Sequence, residues 1–179
     1  MEKIIEAIKA HKPISLSSSR QKAAVSAIFY HHDDELMMIF TKRPETMKEH
    51  AGEISFPGGR YEDGDQDLLH TAIRETKEEI GIDLKTSDLL GRLDDFFTTS
   101  KYNVTPFVFY KEGKLEFQIN SEIDRIIEIP FKHLLDPANY RNQSLYYKDN
   151  YHKLHYYQFG DDLIWGATGA MLNRLISLL

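Results

Sequence analysis

The chain has 179 residues, of which 41% are hydrophobic and 28% are charged, a composition typical of a folded globular domain. Its 28 acidic and 22 basic residues give a formal net charge of −6, which argues against a nucleic-acid partner and against a polybasic membrane anchor. Because it contains no cysteine, disulfides, thiolate metal sites and cysteine nucleophiles are excluded.

The first forty residues predict a helix followed by a strand pair. Apolar side chains recur at helical spacing over residues 3–11, and a short polar connector follows. Residues 22–31 are rich in β-branched and aromatic side chains and predict a strand, which a turn joins to a returning strand over 35–42. This N-terminus carries no export signal, and no apolar run is long enough to span a bilayer. We therefore expect a cytoplasmic protein.

The rest of the chain predicts a mixture of helices and strands. Residues 68–80 form the clearest helix, with Gly81 at its C-cap. Further elements are predicted as strands at 88–97, 103–111 and 114–119, a helical or extended piece at 122–127, a helical turn at 131–135, a hairpin at 145–159 and a helix at 168–178. Without a strict βαβ alternation, this order predicts an α/β (α+β) sandwich with a mixed sheet. We expect a single domain over residues 1–179, with an N-terminal helix and connector at 1–20.

An acidic face on the 68–80 helix carries the first functional signal. Glu75, Glu78 and Glu79 are spaced i, i+3 and i+4, so their side chains project from one side of the helix. Like charges at this spacing repel one another, and a divalent cation would offset the repulsion. All-oxygen donors favour Mg²⁺ or Mn²⁺, which in turn indicates phosphate chemistry. The alternative is a solvated acidic face, which is common on exposed helices.

Residues Gly59–Ile82 resemble the Nudix box, the signature of hydrolases that cleave a nucleoside diphosphate linked to another group. The box pattern is G-x5-E-x7-R-E-U-x-E-E-x-G-U, where U is apolar. The R-E-x-x-E-E-x-G-U half is present here from Arg74 onward. The chain departs from the pattern by one inserted residue before Arg74, by Asp65 at the first glutamate position and by Thr76 at the first U position.

This resemblance implies a fold, a metal and a set of roles. The fold would be a Nudix-type α/β/α sandwich with a central mixed sheet. Glu75, Glu78 and Glu79 would bind Mg²⁺ or Mn²⁺ with the Gly58 carbonyl, and Arg74 would orient a glutamate. Nudix enzymes often recruit a general base from outside the box helix. By position the candidates are Glu112, Glu116 and Glu122; we favour Glu122, although it can equally be a residue at the start of a helix.

The stretch before the box resembles a second motif, that of the coenzyme A pyrophosphatase subfamily, roughly L-L-T-x-R-S-x3-R-x3-G-x3-F-P-G-G. Thr41, Arg43, Gly52 and residues 56–59 match in register. Pro44 replaces the serine of the motif, and Lys48 lies near its second arginine. The inserted box residue and the segment I-W-G-A-T at 164–168 also resemble that subfamily.

Four residues upstream of the box are candidate substrate contacts. Arg43 can clamp a phosphate in bidentate fashion, although a surface salt bridge at a strand end is an equal alternative. His50 can contact phosphate or donate a proton, but a histidine in a polar loop is more often simply solvated. Ser55 and Phe56 belong to the same motif, and shaping the turn is the alternative role for both.

The C-terminal third predicts structure more than chemistry. Its tyrosines can stack a base, but a hairpin that alternates core and rim aromatics explains them as well; they are Tyr146, Tyr147, Tyr151, Tyr156 and Tyr157. We place Trp165 in the core. The last helix packs its leucines inward, with a homodimer face as the alternative.

Together these observations predict a Mg²⁺- or Mn²⁺-dependent hydrolase of the pyrophosphate bond in coenzyme A or its derivatives, with a small nucleotide as its partner. The first alternative is a Nudix hydrolase for another nucleoside diphosphate derivative: a dinucleotide, a nucleotide sugar or a nucleoside triphosphate. The second alternative is a module that senses a nucleotide without cleaving it. Such a module is expected to lose box carboxylates, and all three are present here.

Overall fold

A computed structural model describes residues 1–47, 50–147 and 150–179 of the chain. The helices are α1 (Glu2–Ala10), α2 (Leu68–Ile80), α3 (Phe131–Leu135) and α4 (Gly166–Ile176). The strands are β1 (Gln21–His32), β2 (Glu35–Lys42), β3 (Ile54–Ser55), β4 (Gly58–Arg60), β5 (Leu89–Arg92), β6 (Phe96–Phe97), β7 (Tyr102–Lys111), β8 (Arg125–Pro130), β9 (Tyr140–Tyr147), β10 (Asn150–Phe159) and β11 (Asp162–Ile164). Over these described ranges, no helix is long and apolar enough to cross a bilayer.

A mixed sheet of eight strands forms the centre of the fold, as the sequence predicts. Its main path runs β3-β2-β1-β7-β5, with β4 beside β1, β6 beside β7 and β8 beside β2. Strands β1 and β7 are parallel, with Gln21 opposite Tyr102 and Tyr30 opposite Lys111, while the other pairs are antiparallel. The long apolar runs of β1 and β7 are typical of strands that are covered on both faces.

Helices cover both faces of this sheet and complete the α/β/α sandwich. Alternate residues of β1 point to opposite sides, so Ala24 and Ile28 pack beneath α2 while Ala27 and Phe29 enter the second core. That second core is closed by α1, α3 and α4. The prediction that the last helix buries its leucines is confirmed, because Leu172 and Leu175 are fully buried.

A separate sheet of three antiparallel strands, in the order β11-β10-β9, lies beside the main one. Asp162 at the start of β11 joins the two sheets. Its buried carboxylate receives Arg125 of β8 at 2.6 Å and lies 3.5 Å from Nζ of Lys42 at the end of β2. Two cations from the main sheet thus hold one carboxylate of the smaller sheet.

The predicted strand at 88–97 is interrupted, which corrects the sequence prediction. Strand β5 ends at Arg92 and β6 begins at Phe96, because the residues between them bind the N-terminal connector instead. Asp94 accepts the backbone N–H of Ile14, and Asp95 accepts that of Leu16. Short-range strand propensity does not reveal such a distant contact.

Three other boundaries differ from the prediction. Residues 114–119 are not a strand, because their backbone binds the end of α2 (described below). In the ambiguous 122–127 segment, residues 122–124 form a turn and bend while residues 125–127 are the first residues of β8, and the hairpin begins at Tyr140. The prediction that Trp165 lies in the core is wrong: its side chain is 46% exposed, at the N-cap position of α4.

Candidate functional site

Helix α2 carries the acidic face, and its ends are fixed by local chemistry. The carboxylate of Asp67 caps the N-terminus by accepting the backbone N–H of His70 at 2.9 Å. Gly81 ends the helix in the left-handed conformation with φ of 76°, which glycine adopts without steric cost. The helix therefore spans Leu68–Ile80, as the sequence predicts.

A buried pair of hydroxyls fastens α2 to the sheet. The hydroxyl oxygens of Thr76 and of Ser26 on β1 lie 2.8 Å apart. The carbonyl oxygen of Ala72 lies 2.7 Å from Thr76 Oγ1 and 3.2 Å from Ser26 Oγ. Both side chains are fully buried. The threonine that departs from the apolar residue of the box pattern thus has a polar partner on the strand beneath it.

Two glycines let the β4 strand approach the helix closely. The backbone N–H of Gly58 donates to Glu79 Oε2 at 3.0 Å. A Cβ at Gly59 would lie 2.4 Å from the carboxylate carbon of Glu75. Gly58 has φ of 151°, and a Cβ there would meet the carbonyl oxygen of Ala24 at 2.3 Å. Only glycines allow both carboxylates to lie against this turn.

Glu79 is the most deeply buried carboxylate of the site, with 4% of its surface exposed. Burial raises the pKa of Glu79 to about 7, although the Gly58 N–H and the Arg43 charge act in the opposite direction. Burial also raises the pKa of Glu75, while Arg74 lowers it. Negative charge is therefore costly at this position unless a cation neutralises it.

Arg74 lies at the centre of a carboxylate network. Its Nε and Nη2 atoms form a bidentate pair with Asp65 at 2.8 and 3.0 Å. Its Nη1 atom donates to Glu75 at 3.0 Å and to Glu78 at 3.2 Å. The hydrogen bonds from Arg74 hold the pKa of Asp65 well below its usual range. Arg74 therefore contacts two of the three predicted metal ligands, as an orienting residue would.

Asp65 positions Arg74 in this structure. Its carboxylate also accepts the Thr71 hydroxyl at 2.8 Å and the Glu62 backbone N–H at 3.1 Å. Every one of these contacts helps to fix the guanidinium of Arg74. Sequence analysis gave Asp65 only the position of the first box glutamate, and the nine-residue separation from Arg74 offered no periodic signal for this pairing.

The three box glutamates are suitable ligands for a hard divalent cation, but their carboxylates are not arranged around a common metal position. The oxygens of Glu75, Glu78 and Glu79 suit Mg²⁺ or Mn²⁺, and the buried Glu79 lacks a full counter-charge. Across residues 1–47, 50–147 and 150–179, however, no three acidic or histidine side chains already form a metal-sized cluster. Glu75 and Glu78 are instead bound by Arg74, so loading requires these carboxylates to reorient.

Arg43 and Glu122, from outside the box, lie near its buried glutamate Glu79. Arg43 follows β2, and its backbone N–H donates to the Glu53 carbonyl at 3.0 Å. Its Nη1 atom lies 4.0 Å from Glu122 Oε2. The Arg43 charge lowers the pKa of Glu79, whereas the Glu122 charge raises it. Both residues therefore act electrostatically on the buried carboxylate, although they lie far from it in the sequence.

Two backbone hydrogen bonds attach the loop that carries Glu122 to the C-terminal end of α2. The backbone N–H of Gln118 donates to the Ile80 carbonyl at 3.0 Å, and that of Asn120 donates to the Glu79 carbonyl at 3.1 Å. The Asn120 side chain then accepts the Glu122 N–H at 2.9 Å. The other candidate bases, Glu112 and Glu116, lie earlier on the same connection, between the end of β7 and Gln118.

The other upstream candidates differ in burial: His50 lies at the surface, Ser55 is half-buried and Phe56 lies in the core. His50 is exposed and pairs with Glu53 through Nδ1 at 2.8 Å. The Ser55 hydroxyl lies 3.3 Å from that of Thr41. Phe56 is only 1% exposed and stacks on Phe40 with 5.0 Å between ring centroids, which leaves no surface for a substrate contact. Lys48 lies outside the described residues.

Comparisons with known proteins agree with this architecture. The family model described as NUDIX domain matches residues 20–149. A relative from Yersinia pestis, called uncharacterized Nudix hydrolase NudL, is 28% identical over 92% of this chain and 82% of its own length.

Solved structures support the fold. A MutT/nudix family protein from Enterococcus faecalis superposes with a TM-score of 0.64 at 12% identity. The superposition covers 94% of this chain and 66% of the Enterococcus chain, so this chain spans slightly less than two thirds of that protein's length. The NUDIX domain of Shewanella oneidensis NrtR, solved with ADP ribose, has a TM-score of 0.52 at 15% identity, covering 73% of this chain and 84% of its own.

The fold is an α/β/α sandwich in which a glutamate-bearing helix packs against a Gly-Gly turn. Because the family match covers most of the sequence, the chain belongs to the Nudix family. The family assignment made from the box is therefore confirmed.

Proposed function

We propose that the protein is a Mg²⁺- or Mn²⁺-dependent hydrolase of nucleoside diphosphate derivatives, and that its substrate is coenzyme A or an acylated or oxidised form of it. The observation that carries this proposal is the joint placement of box and upstream motif. Arg43, from the upstream motif, acts electrostatically on Glu79 of the box. In this proposal the upstream motif and the box, which meet at Gly59, contribute to one site.

Glu75, Glu78 and Glu79 would hold the metal, with the Gly58 carbonyl as a further donor. When bound, Mg²⁺ or Mn²⁺ supplies charge stabilisation at phosphate oxygens and favours attack by water. Arg74 fixes the orientation of Glu75 and Glu78 and is itself held by Asp65.

The surrounding residues of this chain have separate roles in the hydrolysis. Water attacks one phosphorus of the pyrophosphate, its proton passes to a general base, and the bridging P–O bond breaks. For coenzyme A, this gives 3′-phosphoadenylate and phosphopantetheine. We assign the base to Glu122, since its loop is fixed to the end of α2. Arg43 binds a phosphate, and neighbouring His50 and Ser55 line the approach to it.

The upstream motif supports coenzyme A as the substrate. Thr41 and Ser55 face each other across β2 and β3, so the motif residues form one short ladder. Phe56 supports that ladder from within the core, and we therefore leave it out of the proposed substrate contacts. Pro44, which replaces the serine of the motif, is the observation that favours a different nucleoside diphosphate derivative.

Product analysis by chromatography tests the proposal. The protein is incubated with coenzyme A, an NADH-type dinucleotide, ADP-ribose and a nucleoside triphosphate, each with Mg²⁺, Mn²⁺ or a chelator. We expect metal-dependent formation of 3′-phosphoadenylate and phosphopantetheine, with coenzyme A as the fastest substrate. Faster cleavage of another compound would retain the metal-dependent chemistry and reject coenzyme A. Binding without cleavage of any compound would indicate a sensing module.

A further inference from the structure

The smaller sheet ends in a two-stranded ribbon that projects from the body. Strand β11 pairs only with residues Tyr157–Phe159 of β10, so the rest of β10 has β9 as its sole strand partner over the described ranges. Residues 141–146 are all exposed. The base of the ribbon is held by β11 and by α4, whose Asn173 donates to the Tyr157 hydroxyl at 3.1 Å. A two-stranded hairpin alone is marginally stable in water, so a further contact along the exposed part would stabilise it.

The free edge of β9 has none of the usual features that prevent strands from pairing. Proteins commonly protect an edge by means of proline, inward charges, bulges or very short strands. β9 has eight residues, contains no proline, and pairs with β10 in one unbroken register from Tyr140 to Tyr147. Its one charged residue, Arg141, lies over the Tyr156 ring at 4.9 Å instead of guarding the edge.

Exposed apolar surface adds to this edge. Leu145 is 47% exposed and Tyr146 is 59% exposed, while Tyr151 on the facing strand is 78% exposed. The rings of Tyr146 and Tyr151 lie 5.1 Å apart and form one aromatic patch on the ribbon. Apolar patches of this kind commonly mark contact surfaces.

We propose that β9 pairs antiparallel with β9 of a second copy of this chain, which joins two three-stranded sheets into one of six strands. An antiparallel edge is complementary to itself, because a two-fold axis brings donors opposite acceptors. Residues 142–147 carry no formal charge. The approach of two copies along residues 142–147 therefore brings no like charges of this segment together.

The symmetry of this pairing fixes a register that can be tested. A two-fold axis perpendicular to the sheet places one residue opposite itself. If seven of the eight residues of β9 pair, that residue is Gln143 or Ser144, the two residues nearest the centre of the strand. Opposed residues in antiparallel strands have Cα atoms about 4.5–5.5 Å apart, which suits a disulfide. A residue two positions from the centre lies about 13 Å from its own copy at about 3.3 Å per residue.

Single-cysteine variants test the proposal directly, because the natural chain has no cysteine. Gln143→Cys and Ser144→Cys are oxidised under mild conditions alongside the matched controls Arg141→Cys and Tyr146→Cys, which lie two or three positions from either centre. The products are separated without reductant. Light scattering measures the mass of the unmodified protein. We expect a dimer, with efficient cross-linking at one central position and little at either control.

Either of two results would overturn the proposal. The first is a monomer at the highest soluble concentration; the second is a dimer whose cross-linking does not peak at Gln143 or Ser144. The double variant Gln143→Lys/Ser144→Lys, which places like charges across the axis, should be a folded monomer by circular dichroism and light scattering. A lysine variant that remains dimeric would also reject the β9 interface. These measurements require no substrate, so they are independent of the proposed activity.

Discussion

The hydroxyl of Thr76 on α2 lies 2.8 Å from that of Ser26 on β1, and both side chains are fully buried. This contact lies one residue from Glu75 along the helix, on the face turned toward the sheet. The contact therefore helps to fix the distance between the glutamates of α2 and the Gly58–Gly59 turn. Thr76→Val keeps the shape of the side chain and removes only its hydroxyl.

Thr76→Val and Ser26→Ala should be coupled in their effects on stability. We expect Thr76→Val to lower the free energy of unfolding by about 1 kcal/mol, the usual net value of a hydrogen bond. Denaturant unfolding of both single variants and the double variant gives the coupling energy of the pair. Strictly additive losses would mean that the hydroxyl contact contributes nothing of its own.

Gly59→Ala should impair the site without unfolding the protein. The new Cβ would lie 2.4 Å from the carboxylate carbon of Glu75, so this flexible side chain must move away from the turn. We expect weaker Mg²⁺ binding and slower turnover, with a nearly unchanged melting temperature. Gly64→Ala is the matched control, since nothing lies within 4 Å of a Cβ at Gly64. Equal turnover in the two variants would show that the position of the Glu75 carboxylate has little influence on catalysis.

Glu79→Gln should lower kcat by at least about 100-fold while the protein stays folded, because it removes a charged metal ligand. The amide oxygen of glutamine can still accept the Gly58 N–H, so the local fold is retained. Steady-state kinetics with coenzyme A and a Mg²⁺ titration give the two readouts. Glu62→Gln, in the exposed loop before α2, is the control for a general loss of negative charge. Near-normal turnover in folded Glu79→Gln would refute the metal assignment.

The raised pKa of Glu79 predicts how the stability of the metal-free protein depends on pH. Burial raises this pKa from 4.5 in a free side chain to about 7 in the folded chain. Between these values the folded state holds a proton that the unfolded state has lost, so stability falls as pH rises. The slope contributed by this group reaches at most about 1.4 kcal/mol per pH unit.

Thermal unfolding in chelator from pH 4.5 to 8 measures this effect. Glu79→Gln has no proton to lose, so its stability should fall less than that of the natural protein over the window. Glu128, whose pKa is also raised by burial, is shared by both proteins and cancels in the difference, whereas Glu75 is electrostatically coupled to Glu79 and belongs to the same effect. Mg²⁺ should stabilise the natural protein most above pH 7. Parallel pH curves for the two proteins would contradict the assignment.

Arg43→Ala should mainly raise KM for coenzyme A and leave kcat nearly unchanged, provided that the guanidinium binds phosphate equally in the ground and transition states. Arg43→Lys keeps the charge but not the bidentate geometry, and we expect an intermediate KM. Steady-state kinetics on all three proteins provide the comparison. Unchanged KM and kcat in Arg43→Ala would mean that Arg43 does not bind substrate and has only a structural role beside Glu122.

Sequence patterns predict the parts of this fold that depend on near neighbours. The bounds of α2 follow from its cap residues and its periodicity, and the three glutamates share a face because helix geometry requires it. The pairing of Asp65 with Arg74 and that of Ser26 with Thr76 depend on how loops and strands fold back, so local spacing does not show them. The same reason accounts for the failed strand prediction at 114–119, where the backbone binds α2 instead of a neighbouring strand.

The two hydrogen bonds from Gln118 and Asn120 to the last turn of α2 have a mechanical consequence. They couple the Glu122 loop to the same backbone turn that bears Glu79, so this loop and the helix end should shift as one body. Amide exchange should accordingly be slow at Gln118 and Asn120, and substrate should leave it unchanged there.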